Sequence, residues 1–514
     1  VTGDGGGFYI ADSNNITFAN VTFSGNTSTS DGGAIYNLFA SATLINCAFQ
    51  GNHAQDDGGA VHNSSSSASL INCSFQGNRA EGNGGAMFNA ASPVTLTNCI
   101  VWNNAEGGTD SLSPGASVAN SSSNPSYFHC LVQNIDLSGS NNNLDGSEPL
   151  NAPHFVAEVD PLAAPAIGGD LRLAFGSPAL DAGDNHANDT STDLAGNSRV
   201  SGIIVDLGAY ESQGSLFVSQ SSGNSDSANT GSNWSDAFLT LQKALDVAVP
   251  GQGIYVSRGI YYPDEGPGQT SGDRSATFAL PDGIFILAGF SSFDNTLFDQ
   301  RDVARFETVL SGEIQQDADS SNNAYHVLTA DGTDALARLD GFTISGGNAN
   351  GSSDNSGGGL YSSNQASPTL ANCVFQDNSA LFSGGAVYNN ASSSTFINCS
   401  FQRNNAQFGG AVDANFLPSP TFIHCAFQEN SAQNDGGAIY ISDCSPTLTD
   451  GSFQENSAQR QGGAILSIFS SFILTNGSFL GNDAQDNGGA IANEQSPSPR
   501  LTNCLFLGNN SRSF

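Results

Sequence analysis

A repeat of 26 residues constrains this chain more than any other feature. The stretch TLINCAFQGNHAQDDGGAVHN at 43–63 returns as SLINCSFQGNRAEGNGGAMFN at 69–89. Cys47, Cys73 and Cys99 stand 26 apart, and Phe23, Phe49 and Phe75 keep the same step. The beat resumes at Phe375, Phe401, Phe427, Phe453 and Phe479, with Phe506 one residue late. Gly pairs follow it, from 32–33 to 84–85 and again from 384–385 to 488–489. One asparagine column runs through Asn46, Asn72 and Asn98, and another through Asn52, Asn78, Asn378 and Asn430.

Each period holds short segments such as GGAIYN, TLIN and CAFQ, with apolar residues at every second position. That spacing belongs to strands. One such coil cannot bury its apolar side alone, but coils stacked ~4.8 Å apart share a continuous core. The sequence therefore predicts an all-β parallel β-helix, a solenoid of ~26-residue coils. The Phe and Cys columns become ladders inside it, and ring-on-ring stacking explains why a large aromatic recurs. Asparagine suits left-handed bends and bonds along the stack, and the Gly pairs read as tight corners.

Composition removes other classes. The 13 Lys and Arg against 48 Asp and Glu leave a net charge of −35. Nucleic acid and anionic lipid need clustered basic residues, so neither is expected as a partner. No apolar run is long enough for a membrane-spanning helix. With 60 Gly and only 12% charged residues the chain is no helical array, while 33 Phe supply a core. The expected location is extracellular or at a cell surface.

The alternation of GGA[IV] with FxxN resembles the repeats of chlamydial polymorphic outer-membrane proteins. Those belong to the pectin-lyase-like superfamily, so the resemblance implies a right-handed helix over about 1–104 and 346–514. Residues 215–263, SLFVSQ to RGIYYP, resemble the opening module of secreted bacterial β-helix proteins. WSDAFLTLQKALDVAV there predicts a short capping helix near 235–249, with Ser235 as its N-cap and Phe238, Leu241, Leu245 and Ala248 on one face. Residues 176–211 resemble a closing module of bacterial surface-anchored β-helix proteins. The expected organisation is repeats at 1–104, an irregular closing module at 105–214, an opening module with irregular coils at 215–345, and repeats at 346–514.

Acidic residues gather before the Gly pairs, at Asp31, Asp56, Asp57, Glu81, Asp435 and Asp486. They read as a solvated edge. The best candidate for weak calcium binding is the 181–206 loop, with Asp181, Asp184, Asp189, Asp193 and Asp206; no other cofactor is indicated. Most of the nine Cys fall in the inward column and read as buried thiols, with Cys444 out of register.

The superfamily resemblance raises catalysis on acidic polysaccharides. None of the seven His is followed by Gly, RIK is absent, and no Arg–Lys cluster for uronate is visible. Asp331, Asp334 and Asp340 are carboxylates that could serve an inverting glycosidase. The expectation is nevertheless a chain with no enzymatic role, a rigid structural rod assembling head-to-tail into a surface filament or sheath. A surface adhesin binding glycans is the alternative, and a polysaccharide lyase or glycoside hydrolase a second one. Because closing and opening modules stand in inverted order, residues near 500–514 of one copy are expected to stack on residues near 1–25 of the next. That contact would use Ile10, Ile16, Phe18, Phe23, Leu505, Phe506 and Phe514.

Overall fold

Alternation makes the strands of this chain, and residues that accept left-handed backbone make its corners. The structure is a computed structural model, described for residues 3–107, 113–114, 117–187, 190–201, 203–221, 228–291, 298–495 and 498–512. It divides into two compact units, Val1–Gly214 and Ser215–Phe514.

Each unit is an all-β solenoid. In the first, four sheets of five strands each run along the stack; in the second, four sheets hold ten, nine, eight and seven strands. Pairing is parallel and in repeat register: Leu70 pairs with Leu44 and Leu96, and Phe401 with Phe375 and Phe427. An antiparallel pair, Ala105 with Pro114, ends one sheet of the first unit.

Inward residues form the core. The rings from Phe375 through Phe401, Phe427, Phe453 and Phe479 to Phe506 stack at 4.7–5.1 Å with planes within 7°. Phe23, Phe49 and Phe75 do the same in the first unit, at 4.8 and 4.4 Å. All nine cysteines are free thiols; eight are buried, including Cys47, Cys73 and Cys99. Cys444 lies outside the column, with its thiol against the carbonyl of Ala414.

Two kinds of corner hold the coils. At the TLIN corner Asn46, Asn72, Asn98 and Asn398 have φ of 50–53°. Asparagine visits this region at least cost among residues with a side chain. At the Gly–Gly corner the first glycine is left-handed, with φ of 73° at Gly58. The second has no room: a Cβ on Gly59 would lie 2.0 Å from the carbonyl oxygen of Gly85 in the next coil. The other asparagine column is buried and bonded throughout. Asn52 donates its backbone N–H and Nδ2 to Oδ1 of Asn78, at 3.0 and 2.8 Å. Asn378, Asn404, Asn430 and Asn456 repeat the pattern.

The capping helix is shorter than its sequence reading. The helix, α1, spans only Leu241–Val247 and is capped by Thr240. Asn233 instead of Ser235 caps the preceding 3-10 turn at Trp234–Asp236. Leu241 and Ala244 join Leu216, Val218 and Phe238 at the start of the second unit's core. In the first unit, residues 155–180 and 205–209 pack on the outer side of the sheet that holds 48–50, 74–76 and 100–102. That side is apolar here, with Ala48, Ile100, Trp102 and Leu131 packed against Phe155, Leu171, Leu173 and Leu207. Gln76 ties the segment down through both the N–H and the carbonyl of Val159.

Candidate functional site

Three aspartates of the 181–206 loop, Asp184, Asp193 and Asp206, accept from backbone amides. Asp206 accepts from the N–H groups of Asp181 and Ser212, and Asp193 from those of Asn197 and Glu211. Glu211 joins them by accepting from Ser201 and Asp206. All six oxygens of these three carboxylates are thus occupied. The guanidinium of Arg199, fully buried, sits among them and donates to the carbonyls of Asp206 and Gly208 at 3.0 and 2.8 Å. Burial pushes Glu211 up to about 8 and Asp206 up to about 6. Asp184 lies elsewhere, accepting from His186 while its own N–H donates to Asn98. Asp189 lies outside the described residues. Among the described residues no group of three or more His, Cys, Asp or Glu is placed to hold a metal. The sequence reading missed Glu211 and Arg199, which EF-hand-like spacing could not flag.

The three carboxylates considered for glycosidic chemistry are occupied as well. Asp340 is buried between Arg301 and Arg338, at 2.6 and 2.8 Å. Asp334 accepts from the N–H groups of Gly283, Leu336 and Ala337. Asp331 accepts from the hydroxyl of Ser363. The acids before the Gly pairs bond along the stack: Asp31 accepts from the N–H of Asp57, and Asp57 from that of Asn83.

A different carboxyl stands out. In the GGA[IV] strands the next, outward position carries Tyr361, Tyr388 and Tyr440, but one coil places Asp413 in register between Tyr388 and Tyr440. Asp413 is buried and its Oδ1 has no partner. Desolvation pushes its carboxyl up to about 7. The signal was legible as one acid in a tyrosine column, but outward positions of strands are ordinarily polar, so it did not register.

The residues expected at an assembly contact divide unequally. Leu505 and Phe506 are 60% and 47% exposed, and Phe506 stacks on Phe479 through one ring face. Ile10 and Phe23 are already buried, because Phe18 lies edge-on against Phe23 and Phe8 against Phe18. Ile16 and Phe18 remain half-buried. Phe514 lies outside the described residues.

A family model described as a right handed beta helix region matches residues 1–149 and 319–471, more than half of the chain. The chain belongs to the right-handed β-helix family. No curated protein matches it. Among solved structures this β-helix is similar to a pectate lyase, at 14% identity and a TM-score of 0.33, over 56% of this chain and 79% of that one. It is also similar to a rhamnogalacturonan lyase, at 13% identity and a TM-score of 0.21, over 55% and 74%. Here the expectation of a chain with no enzymatic role is corrected: the similar structures are named as lyases, and absence of catalysis is withdrawn as a reading. At these scores the likeness is one of fold and supplies neither substrate nor catalytic residue. No helix among the described residues is long and apolar enough to cross a membrane.

Proposed function

We propose that this β-helix is an extracellular rod that continues rung on rung, the coil at 500–511 receiving the coil at 8–28 of another copy. The supporting observation is the match of the two rungs: Phe506 continues the ring column that runs through Phe453 and Phe479, and Phe23 heads the like column of Phe49 and Phe75. Leu501 and Phe506 are 39% and 47% exposed, while their register partners Leu474 and Phe479 are buried. Open strand edges with bare apolar columns are templates for a further strand. A contact between two different surfaces that does not close produces a filament. A further coil of a longer polypeptide would satisfy the same rung within one molecule. Light scattering and negative-stain microscopy separate the cases. Head-to-tail copies should give a mass that grows with concentration, and Phe506→Glu should return it to that of one chain without loss of β-sheet signal. A monodisperse single chain at all concentrations would sink the assembly.

A further inference from the structure

The position just after the Phe-column strands is left-handed in both units. Four successive coils of the second unit hold Asp377, Arg403, Glu429 and Glu455 there, at φ of 52–55°, so the fold itself accepts side chains. The first three coils of the first unit hold Gly25, Gly51 and Gly77 instead, and the reason is what lies over them. A Cβ on Gly51 would stand 2.2 Å from the carbonyl oxygen of Ala166, and one on Gly77 2.7 Å from that of Val159. Glycine here lets the 155–180 segment seat its backbone on the coils. In the second unit the bare position returns at Gly481 and Gly508. A Cβ on Gly481 would meet only the side chain of Glu455, at 3.7 Å, and one on Gly508 nothing among the described residues. The outward side chains change at the same coils: Gln402, Gln428 and Gln454 give way, in register, to Leu480 and Leu507. Leu480, Leu505 and Leu507 are 44%, 60% and 59% exposed. The same outward side of the first unit buries Ile100 and Trp102 beneath its covering segment. Solvated leucines beside bare glycines form a seat of the same kind without its cover.

The covering segment of the first unit shows what fits such a seat. It is a hairpin, with Phe155 paired to Leu173 and Ala157 to Asp170. From Val159 beside Gly77 it passes to Ala166, whose N–H donates to the carbonyl of Gly51 at 2.9 Å. Next comes Ile167, with Cγ2 2.9 Å from a Cβ on Gly25, and Gly169 is back at the level of Gln50. The tip therefore points toward the first coil and beyond it, the side on which a preceding copy would stack. Its residues 161–169, PLAAPAIGG, carry no charge, and Leu162 and Ile167 are 47% and 58% exposed. Ser478, Leu480, Gly481, Leu505, Leu507 and Gly508 carry none either. In a chain of net charge −35, two neutral apolar patches can meet without repulsion. Rung-on-rung stacking sets Gly25 one strand spacing, ~4.8 Å, beyond Gly508. We infer that the hairpin tip at 162–167 of one copy latches onto the outer face at 478–508 of the preceding copy, with Ile167 over Gly508. The latch rests on the rung-on-rung reading and adds a contact outside the solenoid core. It covers outward leucines that the stacked rungs alone would leave bare.

The test uses the full chain carrying Ile167→Cys and Gly508→Cys together, oxidised with copper phenanthroline and run denatured without reductant. The double variant should give a ladder of linked chains, and the parent and each single variant none. Light scattering on unoxidised protein runs beside it. Ile167→Asp and Gly508→Glu should each raise, by roughly fivefold or more, the concentration at which the mass doubles. Glu429 and Glu455 already occupy the equivalent position in their coils, so Gly508→Glu should melt with the parent, which keeps a folding defect out of the result. Mass that grows with concentration while no ladder forms and Ile167→Asp associates like the parent would overturn the latch and leave the stacked rungs standing. Links confined to single chains would overturn it too. A parent that stays a single chain at every concentration would overturn both.

Discussion

Phe401→Ala should cost the second unit ~3–5 kcal/mol, the range for removing a fully buried aromatic ring. Phe401 is fully buried and stacks on Phe375 and Phe427 at 5.1 and 4.7 Å. It also meets Phe396 and Phe422 edge-on. Truncation leaves a gap that neighbouring rings cannot close, because each is held in its own stack. Coils touch only their neighbours, so the loss is felt first near the gap. Hydrogen exchange should therefore quicken at the amides of 395–402 and 421–428 more than at those of 253–257. Urea unfolding gives the total. Phe469→Ala, at an exposed ring, should move it by less than ~0.5 kcal/mol. Equal effects from the two substitutions would mean that the Phe column is not the core.

Arg199→Met should destabilise the first unit by ~3–5 kcal/mol near neutral pH, as expected when one partner of a buried charge network is removed. Glu211 then lacks the guanidinium 3.8 Å from its carboxylate, and the carbonyls of Asp206 and Gly208 lose their donor. The pH dependence follows from the direction of the shifts. Folded Glu211 and Asp206 hold their protons to about 8 and about 6, above the unfolded carboxylate range. The folded state binds more protons than the unfolded one in that window, so stability falls as pH rises from the unfolded carboxylate values through the folded ones. Melting of the parent should drop between pH 5 and pH 8 and level off above. In Arg199→Met the drop should be steeper, since the guanidinium no longer offsets the charges that form. A melting temperature that rises over this window would contradict the assignment.

The regular coils were legible because a solenoid writes its packing into the chain at fixed steps. Phe49 and Phe75 declare an inward column, and Asn52 and Asn78 a bonded turn, by their spacing alone. The irregular parts were legible only as segments. Nothing in the spacing of Asp193 and Asp206 says that their oxygens go to backbone amides, because those amides come from turns that the repeat does not set. The extent of α1 was misjudged for a related reason: Asn233 and Thr240 each cap a turn, and the period alone could not place the break between them. Ile10 and Phe23 were expected at an open surface, but the edge-on packing of Phe8 and Phe18 depends on side-chain geometry at a single coil, where no repetition helps. Asp413 was hidden because an outward acid is ordinary in a strand, and only its burial makes it unusual.

The two asparagine columns donate in opposite senses. Along one, each amide donates to the asparagine of the following coil, as from Asn404 to Asn430 and from Asn430 to Asn456. Along the other, each donates to the preceding coil, as from Asn398 to Asn372 and from Asn476 to Asp450. Where both columns carry an amide, as at Asn372 and Asn398 beside Asn378 and Asn404, their side-chain bonds run in opposite directions. In an α-helix aligned peptide dipoles sum to partial charges at the two ends, whereas here one ladder opposes part of the other. A stack of this kind gains coils with a smaller electrical moment from its amides than ladders pointing one way would build, so its length is left more to packing and to the chemistry of its end rungs.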